Sequence, residues 1–80
     1  MEAHSQFKPN YKLLSALGKE VNRIRTNKGL TIEAFAEKCD LHPKYIQTIE
    51  AGKRNVSISV FVKLAQSLGL SPSGLLDKLQ

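Results

Sequence analysis

The side chains best suited to chemistry in this 80-residue sequence are hydrogen-bond donors and bases, and their grouping is that of a recognition surface. Lys44, Gln47 and Thr48 share one face of a helical pattern whose opposite face carries Ile46 and Ile49. A lysine at such a position can donate to O6 or N7 of guanine and a glutamine can pair with adenine, so this face has the inventory needed to read base edges. The basic pair Lys53-Arg54 follows directly. No catalyst is assembled: Glu33, Glu37 and Asp40 spread along a surface, no nucleophile stands beside a base, and no glycine-rich phosphate loop is present. The single cysteine, Cys39, lacks a local histidine or basic cluster and reads as a small buried apolar residue. His4 and His42 are too far apart for zinc-ligand spacing, so neither metal nor other cofactor is expected.

These residues must be held by helices, because apolar side chains recur at spacings of three and four throughout and no segment alternates as a strand does. Leu14, Leu17, Val21 and Ile24 mark a first helix beginning near Tyr11 and ended by Gly29. Thr31 can cap a second, with Ile32, Phe35, Ala36 and Cys39 buried. Asp40-Leu41 breaks it, and His42-Pro43 starts a third, since a residue before proline avoids helical backbone as a cap must, while proline suits the first helical position. Tyr45, Ile46 and Ile49 face inward on that helix. Ser57 caps a fourth with Ile58, Phe61, Leu64, Ala65 and Leu68 inside, and Ser71-Pro72 opens a short fifth with Leu75, Leu76 and Leu79. The second and third helices are too short, and their link too tight, to lie side by side; they cross steeply as a helix-turn-helix. The reading is an all-α fold, a compact five-helix domain over residues 11–80 behind a flexible arm at 1–10.

Twelve Lys and Arg against seven Asp and Glu give a net charge of +5, which favours a polyanionic partner. The apolar stretches fall far short of the roughly 18 residues that span a bilayer, and the polar start lacks the hydrophobic middle of a signal peptide. A reducing cytoplasm and no membrane partner are the expectation. A core of this size supplies only about 3 to 5 kcal/mol, which points to reinforcement by oligomerisation.

Ile24-Arg25, Lys28-Gly29-Leu30-Thr31, Phe35-Ala36-Glu37-Lys38, Tyr45-Ile46, Ile49-Glu50 and Gly52-Lys53-Arg54-Asn55, in this order and spacing, resemble the lambda-repressor-like helix-turn-helix family, also called the xenobiotic-response-element type. The match runs from about Val21 to Leu76. Within the family, the small single-domain controllers of restriction-modification systems are similar in length and in the run after Gly52. The resemblance implies that the third helix lies in the DNA major groove with its N-terminal residues over the base edges. Base reading then falls to Lys44, Gln47, Thr48 and Arg54, with Pro43 limited to apolar contact such as a thymine methyl. Phosphate contacts fall to Lys53, Asn55, Ser57, Thr31 at the second helix's N-terminus, and the Tyr45 hydroxyl. Ile32 replaces a glutamine that commonly touches phosphate in the family. Arg25 and Glu50 correspond to positions that form a structural ion pair.

One short helix reads about four base pairs, whereas useful discrimination needs roughly 4 to 10 kcal/mol, so a homodimer on a palindromic operator is expected. Val60 or Val62 with Leu75, Leu76 and Leu79 are the expected interface, with Met1 to Leu17 as a possible contributor. The function read from the sequence is a sequence-specific, autoregulatory transcriptional regulator bound to double-stranded DNA, without a small-molecule pocket. The alternative is a protein-interaction module, antitoxin-like or polymerase-contacting, built on the same fold.

Overall fold

The computed structural model describes residues 8–80, and all regular structure among them is helical. Five helices follow in order: α1 (Tyr11–Asn27), α2 (Ile32–Cys39), α3 (Pro43–Glu50), α4 (Ile58–Ser67) and α5 (Pro72–Asp77). Met1 to Phe7, most of the expected arm, lie outside the described residues. Asn10, assigned to that arm by the sequence reading, instead caps α1: its side chain accepts the Leu13 amide at 3.0 Å. Each later helix begins on the residue whose side chain was expected to do so. Thr31 Oγ1 accepts from Ala34, His42 Nδ1 from Lys44, Ser57 Oγ from Val60 and Ser71 Oγ from Gly74, each at 3.0–3.1 Å. Every start thus satisfies one of the amides that a helix N-terminus leaves unpaired.

The link from α2 to α3 is the tightest in the chain. Asp40 adopts left-handed backbone with φ of 57°, which a short polar side chain tolerates. The Leu41 amide then returns to the Ala36 carbonyl at 2.9 Å, so α2 closes within a single residue and α3 departs in a new direction. Phe35, Ala36 and Cys39 of α2 meet Ile46 and Ile49 of α3, Leu17 and Val21 of α1, Leu64 and Ala65 of α4, Leu68 at its C-terminal cap and Leu75 of α5 in one core. Burial also pushes the Cys39 thiol above its ordinary pKa, which disfavours the reactive thiolate.

Two expectations about burial require correction. Ile58, placed inside α4, is 75% exposed, because the first turn of α4 runs past the edge of the core. Leu75, placed at a dimer interface, is wholly buried in this chain's own core and has no surface left to offer a partner. The short α5 packs on α4 through that residue, which leaves only Leu76 of the pair facing out.

The crossing of α1 and α3 is closer than ordinary side chains permit. A methyl group added at Gly18, in the middle of α1, would lie 2.7 Å from the Glu50 carbonyl oxygen and closer still to that of Ile49. Gly52 repeats the pattern one turn on, with φ of +75° and room for no side chain against the Ser15 backbone. Backbone atoms line both contacts, so relief requires α3 itself to move. Gly18→Ala should therefore destabilise the protein by about 2 kcal/mol despite alanine's better helix propensity, whereas Lys19→Ala, on the exposed side, should change stability by less than about 0.5 kcal/mol. Urea unfolding followed by circular dichroism measures both.

Candidate nucleic-acid interface

The geometry of the exposed face of α3 begins with what holds the helix in place. Arg25 is almost fully buried, and its Nε donates to Glu50 Oε2 at 2.6 Å while one terminal nitrogen donates to Glu50 Oε1 at 3.1 Å. The other terminal nitrogen reaches the Leu30 carbonyl at 2.7 Å, and Asn22 adds a bond to Glu50 Oε1 at 2.9 Å. One guanidinium therefore ties α1, the α1–α2 loop and the last residue of α3 together. The two side chains are only 10% and 9% exposed, and the hydrogen bond to Glu50 is the main cause holding the Arg25 pKa above its ordinary value.

This pair also decides the charge of the outer surface. Glu50 is the only acidic residue within α3, and its carboxylate is turned inward and neutralised. What α3 presents outward is Lys44 and Gln47, both exposed, with Pro43 and Thr48 half-exposed beside them. Lys53, Arg54, Asn55 and Ser57 are exposed on the loop that follows and at the start of α4. The Lys53 amide bonds back to the Thr48 carbonyl at 3.1 Å, which holds that loop against α3. Thr31 is exposed at the α2 N-terminus, where its hydroxyl is occupied in capping. Among the described residues, no group of three or more His, Cys, Asp or Glu gathers where it could hold a metal ion.

Two features of this surface go beyond the sequence reading. The Arg54 guanidinium lies over the Tyr45 ring, 4.4 Å from its centroid. The Thr48 hydroxyl donates to the Tyr45 carbonyl at 2.8 Å and accepts from Arg54 Nε at 3.3 Å. Its single proton is thus spent within the protein. The spacing of Tyr45 and Thr48, one turn apart, brings them together on α3, but only the reversal of the chain at Gly52 brings Arg54 back onto them.

Bordering this surface at Asn55 and Ser57, Leu13 (37% exposed), Leu76 (43%) and Ile58 line an open apolar groove of about 350 Å³ together with Phe61 and Leu79. Val60 is half-buried against the core. No helix among the described residues is long and apolar enough to cross a membrane.

A helix-turn-helix family model matches residues 21–75, and the chain belongs to this family, the xenobiotic-response-element type of helix-turn-helix protein. It is similar to the control protein C.BamHI of Bacillus amyloliquefaciens, with 44% identity over 69 residues, 85% of this chain and 83% of that protein. Among solved structures it resembles the restriction-modification controller protein C.AhdI of Aeromonas hydrophila, with a TM-score of 0.73 and 37% identity across 78% of this chain and 94% of that one. It also resembles the controller protein C.Esp1396I, solved as a tetramer in complex with its natural 35-base-pair operator, with a TM-score of 0.76 and 33% identity across 84% of this chain and 88% of that one.

The ion pair's energetics give a direct test of how α3 is held. Glu50→Ala leaves Arg25 buried without its partner and should lower stability by about 3 kcal/mol, with much of that loss recovered when Arg25 is replaced as well by a hydrophobic residue of similar volume. Denaturant unfolding of the single and double variants checks this.

Proposed function

We infer that this protein is a sequence-specific transcriptional regulator of the control-protein kind, which binds a palindromic operator as a homodimer with α3 in the major groove. The observation that carries the reading is the outer face of α3: it offers Lys44 and Gln47 to base edges while the helix's only carboxylate is folded inward onto Arg25. Lys53, Asn55 and the N-terminus of α4 at Ser57 supply phosphate contacts that set the register, with Thr31 and the Tyr45 hydroxyl at the margins. The likeness to control proteins, one of them solved on its natural operator, supports the same conclusion, and autoregulation by protein concentration through dimerisation fits a domain of this size. Its place is the cytoplasm, with the DNA it reads, and catalysis has no part in it.

The dimer face is assigned to Leu76 of α5 and Leu79 just beyond it, with Val60 of α4, extended by Leu13 and Ile58. Leu13, Ile58 and Leu76 are exposed large apolar side chains around one groove that Leu79 also lines. A partner-protein reading rests on that same groove, and the basic face of α3 favours DNA over it.

Selection of sites by the purified protein from a random duplex pool at near-physiological salt tests the function. A two-fold motif with half-sites about 10 base pairs apart is expected; weak, salt-sensitive binding without sequence enrichment contradicts the reading. For the dimer face, Leu76→Glu should shift sedimentation from dimer to monomer with the helical signal intact. An unchanged dimer would remove α5 from the interface.

A further inference from the structure

We propose that Thr48 is a positioning residue for Arg54, and that Tyr45, Thr48 and Arg54 form one unit presenting the two terminal nitrogens of the guanidinium to a guanine. The inference rests on the DNA-reading function above and assigns one of its contacts. It starts from the Thr48 hydroxyl, which has one proton and gives it to the Tyr45 carbonyl at 2.8 Å. Only lone pairs remain, and Arg54 Nε donates into them at 3.3 Å. Thr48 therefore has no hydrogen to offer a base. What it offers is a fixed acceptor for Arg54.

Tyr45 supplies the second restraint. It is half-buried and packed against the core, so its ring is a fixed platform, and the Arg54 guanidinium lies over it at 4.4 Å. The third restraint is the bond from the Lys53 amide to the Thr48 carbonyl, which holds the backbone next to Arg54 against α3. A free arginine side chain pays rotamer entropy on binding, and this one has surrendered part of it beforehand.

The direction of the restraint names the ligand. With Nε engaged by Thr48, the side-on edge of the guanidinium is occupied and the end-on pair of terminal nitrogens is left to bind. Two donors side by side match O6 and N7 of guanine in the major groove. A phosphate can take the guanidinium fork through either its side-on or its end-on pair of donors, whereas the guanine edge, reached along the groove, takes both terminal nitrogens in its own plane. The stacking and the Thr48 bond are therefore best explained by a guanine.

The test combines a DNA-binding arm with one that needs no DNA. Binding to the selected site and to its single-base-pair variants is measured for wild type, Arg54→Ala, Thr48→Val, Thr48→Ser and the Thr48→Val/Arg54→Ala double variant, each checked for folding by circular dichroism. Arg54→Ala should lose on the order of ten-fold or more in discrimination at one G·C pair. Thr48→Val should lose discrimination at that same pair, Thr48→Ser should restore it, and the double variant should be no worse than Arg54→Ala alone. In the free protein, the Arg54 Nε–H resonance should be shifted by the Tyr45 ring, and Thr48→Val should return it toward the position of an unrestrained arginine. Additive losses, or a Thr48 effect at a different base pair, would overturn the positioning role. A uniform loss from Arg54→Ala on all sequences would make the ligand a phosphate and overturn the guanine assignment. Wild-type protein that selects no sequence would instead defeat the DNA-reading function and the guanine assignment with it, while the Arg54 resonance would still decide separately whether the three residues form a unit.

Discussion

The interaction on which the rest of this structure depends is the bidentate contact between Arg25 and Glu50. A helix of eight residues has little stability of its own, and α3 must nevertheless hold a fixed orientation for the proposed reading of DNA. Its start is fixed by the His42-Pro43 cap and its middle by Ile46 and Ile49 in the core. Its end is fixed by a charge pair almost removed from water, which also satisfies the Leu30 carbonyl in the loop before α2. Removing a single partner leaves a charge in a place that water hardly reaches, so the pair specifies geometry more strictly than an apolar contact of the same size would.

Close packing reinforces the electrostatics. Gly18 and Gly52 let the backbones of α1 and the end of α3 approach to a distance that any side chain would prevent. The short approach is what brings Arg25 and Asn22 on α1 within reach of Glu50. The same arrangement sets the chemistry of the exposed face: with its one carboxylate withdrawn, α3 offers donors to a polyanion without an opposing charge, and Gly52 turns the chain so that Lys53 and Arg54 extend the basic surface.

Much of this was legible in the sequence because it is local. Caps at Thr31, His42, Ser57 and Ser71 depend on a side chain reaching an amide two or three residues on, and the helical periodicity of Leu17, Val21, Phe35, Ile46, Ile49 and Leu64 depends on one face meeting the core. The family resemblance supplied the pairing of Arg25 with Glu50, which spacing alone does not reveal. What the sequence hid is non-local. Gly18 looks like an indifferent residue in a helix until α3 is laid across it. Leu75 and Leu76 are adjacent leucines on a short helix, and only the packing of α5 on α4 decides which is core and which is surface. Ile58 follows the buried periodicity of α4 but lies beyond the reach of its neighbours. Thr48 reads as a base reader until its hydroxyl is seen to donate to the Tyr45 carbonyl. Asn10, hidden at the end of a polar stretch, has the ordinary signature of a cap and was recoverable.

Held at both ends and at its middle, α3 belongs to the same cooperative unit as the core. Native-state hydrogen exchange on the free protein measures this directly. The amides of Ile49 and Glu50 should exchange only through global unfolding, with the same opening free energy as core amides such as Val21 in α1 and Leu64 in α4. Opening of α3 at a distinctly lower free energy, while α1 and α4 remain protected, would contradict the claim that the Arg25–Glu50 pair and the α1–α3 crossing fix the recognition helix.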